Sequence, residues 1–182
     1  MNSNANITTG KWVVDAAHSE LNFRVRHLMI SNVKGGFANF NAEITGDDLT
    51  KASINVSIDA ASVTTGDEGR DVHLRSADFF DAENHKEIVF QSTDFKHIKG
   101  DHYKLEGLLT IKGNAHPVEL DVEFGGINTD PWGNTKAGYS VSGKINRKNW
   151  GLNWNAALEA GGVLVSDEVK IDGEIQLVKQ KQ

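Results

Sequence analysis

The stretch His18-Ser19-Glu20-Leu21-Asn22-Phe23-Arg24-Val25-Arg26-His27-Leu28-Met29 decides the fold class. Leu21, Phe23, Val25, His27 and Met29 share one phase of a period-two alternation, and Glu20, Asn22, Arg24 and Arg26 share the other. Successive side chains of a strand point to opposite faces, so the pattern describes a strand with one dry and one wet face. A histidine stands in the dry phase.

The same alternation recurs at 36–44, 53–59, 87–98, 103–112, 118–124, 136–147 and 166–179, which makes eight strands with the first. Turn residues separate them: Thr45-Gly46-Asp47-Asp48, Lys99-Gly100-Asp101, the segment 114–117, and Thr129-Asp130-Pro131-Trp132-Gly133-Asn134. Most strands are therefore antiparallel to their sequence neighbours. A ten-residue strand spans about 33 Å, and a tilt of about 40° turns that into a wall roughly 25 Å tall. Eight such strands enclose either a packed core or one slender cavity.

One segment breaks the pattern. Thr65-Gly66-Asp67-Glu68 reads as a capping box with Thr65 as N-cap, opening a helix toward Ser76. So short and polar a helix needs tertiary support, so Val72, Leu74, Phe79 and Phe80 are expected to dock on the barrel and plug or gate one end. The expected fold is all-β: an eight-stranded antiparallel barrel with one short helix between the third and fourth strands.

The bulk properties narrow the function. The 182 residues fit one domain, 1–182, with a flexible N-terminal segment 1–10; there are only two prolines, and 18 glycines suit a turn-rich chain. The net charge is −6 with no run of basic residues in the sequence, which argues against nucleic acid as a partner. No stretch approaches the roughly 20 apolar residues of a membrane span. The polar start MNSNANITTG lacks the basic and apolar regions of a secretory signal, so the expected location is cytoplasmic. With no cysteine, disulfides and thiolate chemistry are excluded. No Gly-x-Ser-x-Gly elbow and no His-x-x-x-His or His-Glu-x-x-His spacing occurs, so neither catalysis nor a metal centre is expected.

Ordered motifs along the chain resemble one family. They are Trp12-Val13-Val14-Asp15, His18-Ser19, Phe23, Val25 and His27, Gly36-Phe37, Ser62-Val63-Thr64-Thr65, Arg70-Asp71, His73-Leu74, Asp78-Phe79-Phe80, Phe90, Ser92-Thr93, the run 107–113, Arg147 and Gly151-Leu152. Together they resemble the YceI-like bacterial lipid-binding family over about residues 11–178. The resemblance implies a lipocalin-like barrel whose lumen takes a polyisoprenoid, isoprenoid quinone or fatty amide. It implies lipid transport, storage or sequestration, stress-related sequestration included, with no required cofactor beyond the bound chain and with a homodimer as the expected assembly. Many relatives carry a signal peptide.

The expected ligand contacts are Leu21, Phe23, Val25, His27, Met29, Phe40, Arg70, Leu74, Phe79, Phe90, Leu109, Ile111, Val141, Ile145, Arg147 and Trp150. His27 is either a core histidine with a satisfied ring or a polar contact for a head group. Arg70 and Asp71 are either an ion pair fixing the helix to the rim or, through Arg70 and Arg147, a phosphate contact. Two competing functions remain. One is a metal-dependent or catalytic barrel in which His18, His27 and Arg70 converge. The other is an interaction module with a solid interior and a rim patch of Trp132, Trp150 and Trp154.

Overall fold

The computed structural model describes residues 10–46, 51–158 and 163–180. The expected flexible segment lies outside them except for Gly10, as do Asp47 and Asp48 of the expected second turn. Gly10 itself opens strand β1 (Gly10–Val14), which lies end to end with β2 (Glu20–His27). The first wall of the barrel thus begins earlier than its alternation suggests, and a 3-10 turn at Ala16–His18 interrupts it.

The second and third walls are also broken in two. They comprise β3 (Ser31–Phe37) with β4 (Phe40–Gly46), then β5 (Ser53–Asp59) with β6 (Val63–Thr64). Five unbroken strands follow: β7 (Glu87–Lys99), β8 (His102–Ile111), β9 (Asn114–Thr129), β10 (Thr135–Asn146) and β11 (Val165–Lys179). Every neighbouring pair is antiparallel, and β11 returns to pair with both β1 and β2. That last pairing closes an eight-walled barrel and removes the sheet edges.

At the end carrying the terminal strand ends, Asp15 joins three segments. Its carboxylate accepts hydrogen bonds from the Ala17 amide at 3.2 Å, from Lys136 Nζ at 2.8 Å, and pairs with His18 Nδ1 at 2.9 Å. Lys136 also lies 3.7 Å from Asp130 in the β9–β10 turn. The hydrogen bond from Lys136 is the largest cause holding Asp15 below the ordinary carboxylate value of 3.8. A depressed carboxylate stabilises the fold above its unfolded value and loses that contribution as pH falls through the folded one. Asp15→Asn is therefore expected to flatten the acid limb of thermal stability below about pH 4. An unchanged acid limb in melts of wild type and variant would refute this.

The same end is filled by side chains. Trp12, Tyr103, Phe124 and Ala137 are buried there, Phe95 stacks on Tyr103 with centroids 5.0 Å apart, and Phe124 meets Tyr139 at 5.4 Å. Aromatic rings also rest on cross-strand glycines. A Cβ at Gly107 would strike the Phe90 ring and come 2.5 Å from the Gln91 carbonyl oxygen. Gly107→Ala must displace Phe90, with an expected loss of about 1–3 kcal/mol in urea unfolding; an unaltered midpoint would show that the ring yields freely.

Helix α1 (Glu68–Arg75) falls where expected, between the third and fourth walls, but its cap differs. Asp67, rather than Thr65, accepts from the Arg70 amide at 2.9 Å. Gly66, at φ +83°, turns the chain so that Asp67 takes the cap position. Thr65 instead donates its amide (2.8 Å) and hydroxyl (2.6 Å) to buried Asp71. No helix among the described residues is long and apolar enough to cross a membrane.

Candidate ligand-binding lumen

Between the filled end and α1 lies a cavity of about 400 Å³, bounded by inward side chains of all eight walls. This lies within the roughly 300–1,000 Å³ typical of small-molecule sites. Its deep end is marked by Phe95, Tyr139 and Leu177, and its other end by His27, Arg70, His73, Arg147, Trp154 and Val165. The wall between is almost wholly aliphatic and aromatic. An interior solid with side chains, as the interaction-module alternative requires, is not what the fold builds.

The strand phases place most of the expected contacts. Leu21, Phe23, Val25, Phe40, Phe90, Leu109, Ile111, Val141 and Ile145 line the cavity from the walls, and Leu74 and Phe79 line it from α1 and the loop after it. Phe23 packs on Phe37 with centroids 5.7 Å apart, and Phe37 on Phe80 at 5.6 Å, so an aromatic ladder leads from β2 to the post-helical loop. His27 lines the mouth half-buried, with no hydrogen bond to its ring among the described residues.

Two expected contacts stand elsewhere. Met29 is 50% exposed, because β2 stops at His27 and Met29 sits in the β2–β3 turn at φ +62°. Trp150 is buried outside the lining, where its indole donates to the Leu109 carbonyl at 2.8 Å and meets the His116 ring edge-on at 5.4 Å. The expected tryptophan patch is likewise dispersed. Trp132 is 80% exposed in the β9–β10 turn at the opposite end, while Trp154 enters the mouth against His73 (4.7 Å) and Phe79 (5.5 Å).

The two arginines are anchored to protein. Arg70 donates from Nε to the Thr65 hydroxyl at 2.8 Å and from Nη2 to the Thr65 carbonyl at 3.1 Å, which fixes the helix without an ion pair to Asp71. Arg147, only 3% exposed, donates to four main-chain carbonyls: Ser166 at 2.9 Å, Leu152 at 2.6 Å, Trp154 at 2.9 Å and Val165 at 3.2 Å. Burial pulls its ionisation below the usual guanidinium value, and Asp167 partly opposes this. The planar fork suits this task because it reaches several carbonyls of the folded-back loop at once.

Tyr139 shares the apolar phase of Val141 and Ile145 but is not among the expected contacts. Its side chain is 7% exposed and its hydroxyl finds no hydrogen-bond partner among the described residues. Burial first, and neighbouring Tyr103 second, push its ionisation above the ordinary phenol range, so it remains a neutral donor at the deep end. The histidines do not converge. His18 pairs with Asp15, His73 with Asp78 at 2.8 Å, and His97 with the Gly100 carbonyl at 2.8 Å, each on a different segment.

A barrel closed by broken first walls, capped by a short helix and hollow along its axis is matched by one family model over residues 12–177, described as the YceI-like domain. The chain belongs to the YceI-like family. A UPF0312 protein of Staphylococcus epidermidis is 39% identical over 169 residues, covering 91% of this chain and 96% of that protein. A UPF0312 protein of Staphylococcus aureus is also 39% identical, over 165 residues. Among solved structures, a Campylobacter jejuni YceI protein superposes with a TM-score of 0.73 at 32% identity, covering 92% of this chain and 97% of its own. Burkholderia cenocepacia BcnA (TM-score 0.78, 24% identity, 90% and 98% covered) shares the fold. So does a polyisoprenoid binding domain from Saccharophagus degradans (0.65, 16%, 93% and 98%).

Proposed function

We propose that this YceI-like barrel binds a long-chain amphiphile, of polyisoprenoid, isoprenoid quinone or fatty amide type, with its tail in the lumen, and that it carries or sequesters that lipid rather than transforming it. The apolar cavity of about 400 Å³ carries this reading. At about 30 Å³ per water-sized group, the space takes a tail of on the order of a dozen carbons. Each buried methylene contributes about 0.8 kcal/mol, against a net of about 1 kcal/mol for a head-group hydrogen bond. Tail burial therefore sets affinity, and polar groups set orientation. His27 and the Trp154 indole at the mouth and the Tyr139 hydroxyl at the deep end are lumen groups whose side-chain polar atoms have no protein hydrogen bond among the described residues. The relative from Saccharophagus degradans, a polyisoprenoid binding domain of the same fold, supports the ligand class.

Native mass spectrometry of protein purified without detergent, followed by chemical identification of extracted lipid, tests the proposal. A copurifying amphiphile released on denaturation is expected. No copurifying lipid, together with no uptake of an apolar fluorescent dye, would overturn it.

A further inference from the structure

The register of the barrel sets four cationic side chains side by side on its outer face. Lys34 on β3 pairs with Arg24 on β2, Arg24 with Lys170 on β11, and Lys170 with Lys144 on β10. All four are exposed, and none forms an ion pair among the described residues. Like charges directly opposite one another destabilise a sheet, so barrel stability does not explain the row. Glu168 and Asp172 flank Lys170 along its own strand without pairing to the row, while Glu119 and Asp121 on β9 are held by Lys104 at 2.7 and 3.3 Å.

The hairpin that carries two of these cations ends in an apolar tip. Leu28, Met29 and Ile30 are 40%, 50% and 78% exposed. Leu28 and Met29 hold left-handed backbone at φ +55° and +62°, where hairpin turns favour glycine or asparagine. Arg26 reinforces the turn, its Nε donating to the Met29 carbonyl at 3.2 Å. The tip stands at the helix-capped end of the barrel, since adjacent His27 and Val165 line the lumen there. From Arg24 to the tip is four residues, about 13 Å, so the cations stand on the headgroup side of the apolar point, beyond the roughly 5–8 Å headgroup layer, which their long side chains reach back to meet.

We infer that the β2–β3 tip and the cationic row form a docking surface for an anionic phospholipid bilayer. Leu28, Met29 and Ile30 insert among the lipids, and Lys34, Arg24, Lys170 and Lys144 meet the headgroups. The chain's net charge of −6 does not forbid this, because carboxylates beyond a Debye length of about 8–10 Å are screened. Nucleic acid would use the cations and leave the apolar tip without a role. The surface stands on its own residues; that docking presents the lumen mouth to membrane lipid rests on the function proposed above.

Flotation with vesicles of phosphatidylcholine alone, or with about one-third phosphatidylglycerol, tests the inference. Each cation near an anionic surface strengthens binding about fivefold, so at least tenfold preference for the anionic vesicles is expected, falling as salt rises from about 0.1 to about 1 M. Ile30→Asp is expected to weaken binding about tenfold or more. Lys34→Glu with Lys170→Glu should abolish the anionic preference. Circular dichroism and dye uptake in vesicle-free solution should stay unchanged in these variants. Equal affinity for both vesicle types, or Ile30→Asp binding like wild type, overturns the inference. So does a dimer dispersed by Ile30→Asp, or an oligonucleotide bound by the row, in the absence of vesicle binding. Dye uptake without docking refutes the surface alone, whereas docking without dye uptake or copurified lipid refutes the lumen reading alone.

Discussion

Phe23→Asp is expected to lower the affinity for a fluorescent polyene fatty acid by at least about a hundredfold, equivalent to roughly 2.7 kcal/mol. Phe23 lines the cavity and begins the ladder through Phe37 to Phe80. The substitution removes an aromatic contact worth about 1.5–3 kcal/mol on full burial and adds a carboxylate to an apolar wall, so both changes act in the same direction. Gly35, whose Cβ would lie 2.5 Å from the Phe23 ring, shows how closely the backbone receives that ring. His27→Ala should weaken binding only about fivefold, the scale of one hydrogen bond. Fluorescence titrations separate the two, with Phe23→Leu controlling for the fold. Equal losses for Phe23→Asp and His27→Ala would mean that the head group dominates, contrary to the burial argument.

Arg147→Ala is expected to cost about 3–5 kcal/mol in stability, read as a shift of the urea midpoint at unchanged slope. The guanidinium is the common partner of the carbonyls of Leu152, Trp154, Val165 and Ser166, so its removal takes a donor from each; Val165 keeps the Asn155 side-chain amide at 2.7 Å, while the buried Leu152 carbonyl and that of Trp154 lose theirs. Arg147→Lys should recover only part of the loss, because one ammonium cannot span carbonyls that the fork reaches from three nitrogens. Trp154, whose carbonyl Arg147 holds, lies in the lumen mouth, so dye uptake should fall along with stability. A midpoint shifted by less than about 1 kcal/mol would assign the carbonyls other partners.

The inner face of the barrel was legible because a strand repeats every two residues and a closed wall keeps that phase along its length. Leu21, Phe23 and Val25 needed only local pattern, and so did Val141 and Ile145. Met29 misled because the phase continues past the point where the strand ends; two left-handed residues terminate β2, and periodicity carries no sign of them. Trp150 misled for another reason. Its indole donor finds the Leu109 carbonyl, 41 residues away in sequence, and that partner draws the ring out of the lumen wall. The Thr65 cap failed on a contest between neighbours, since Asp67 stood closer to the helix and Asp71 offered Thr65 a buried acceptor.

The sequence by itself determined an eight-walled antiparallel barrel, an apolar interior phase and a helix between the third and fourth walls, because alternation and capping chemistry are local. Only the tertiary structure decided what distant segments do together. It turned Arg147 into a loop anchor, left the Tyr139 hydroxyl at the cavity's deep end without a partner among the described residues, and aligned Lys34, Arg24, Lys170 and Lys144 into one row from a chain with no basic run. Strand register pairs residues far apart in sequence, and neither hydrogen-bond geometry nor surface charge is set until that register closes.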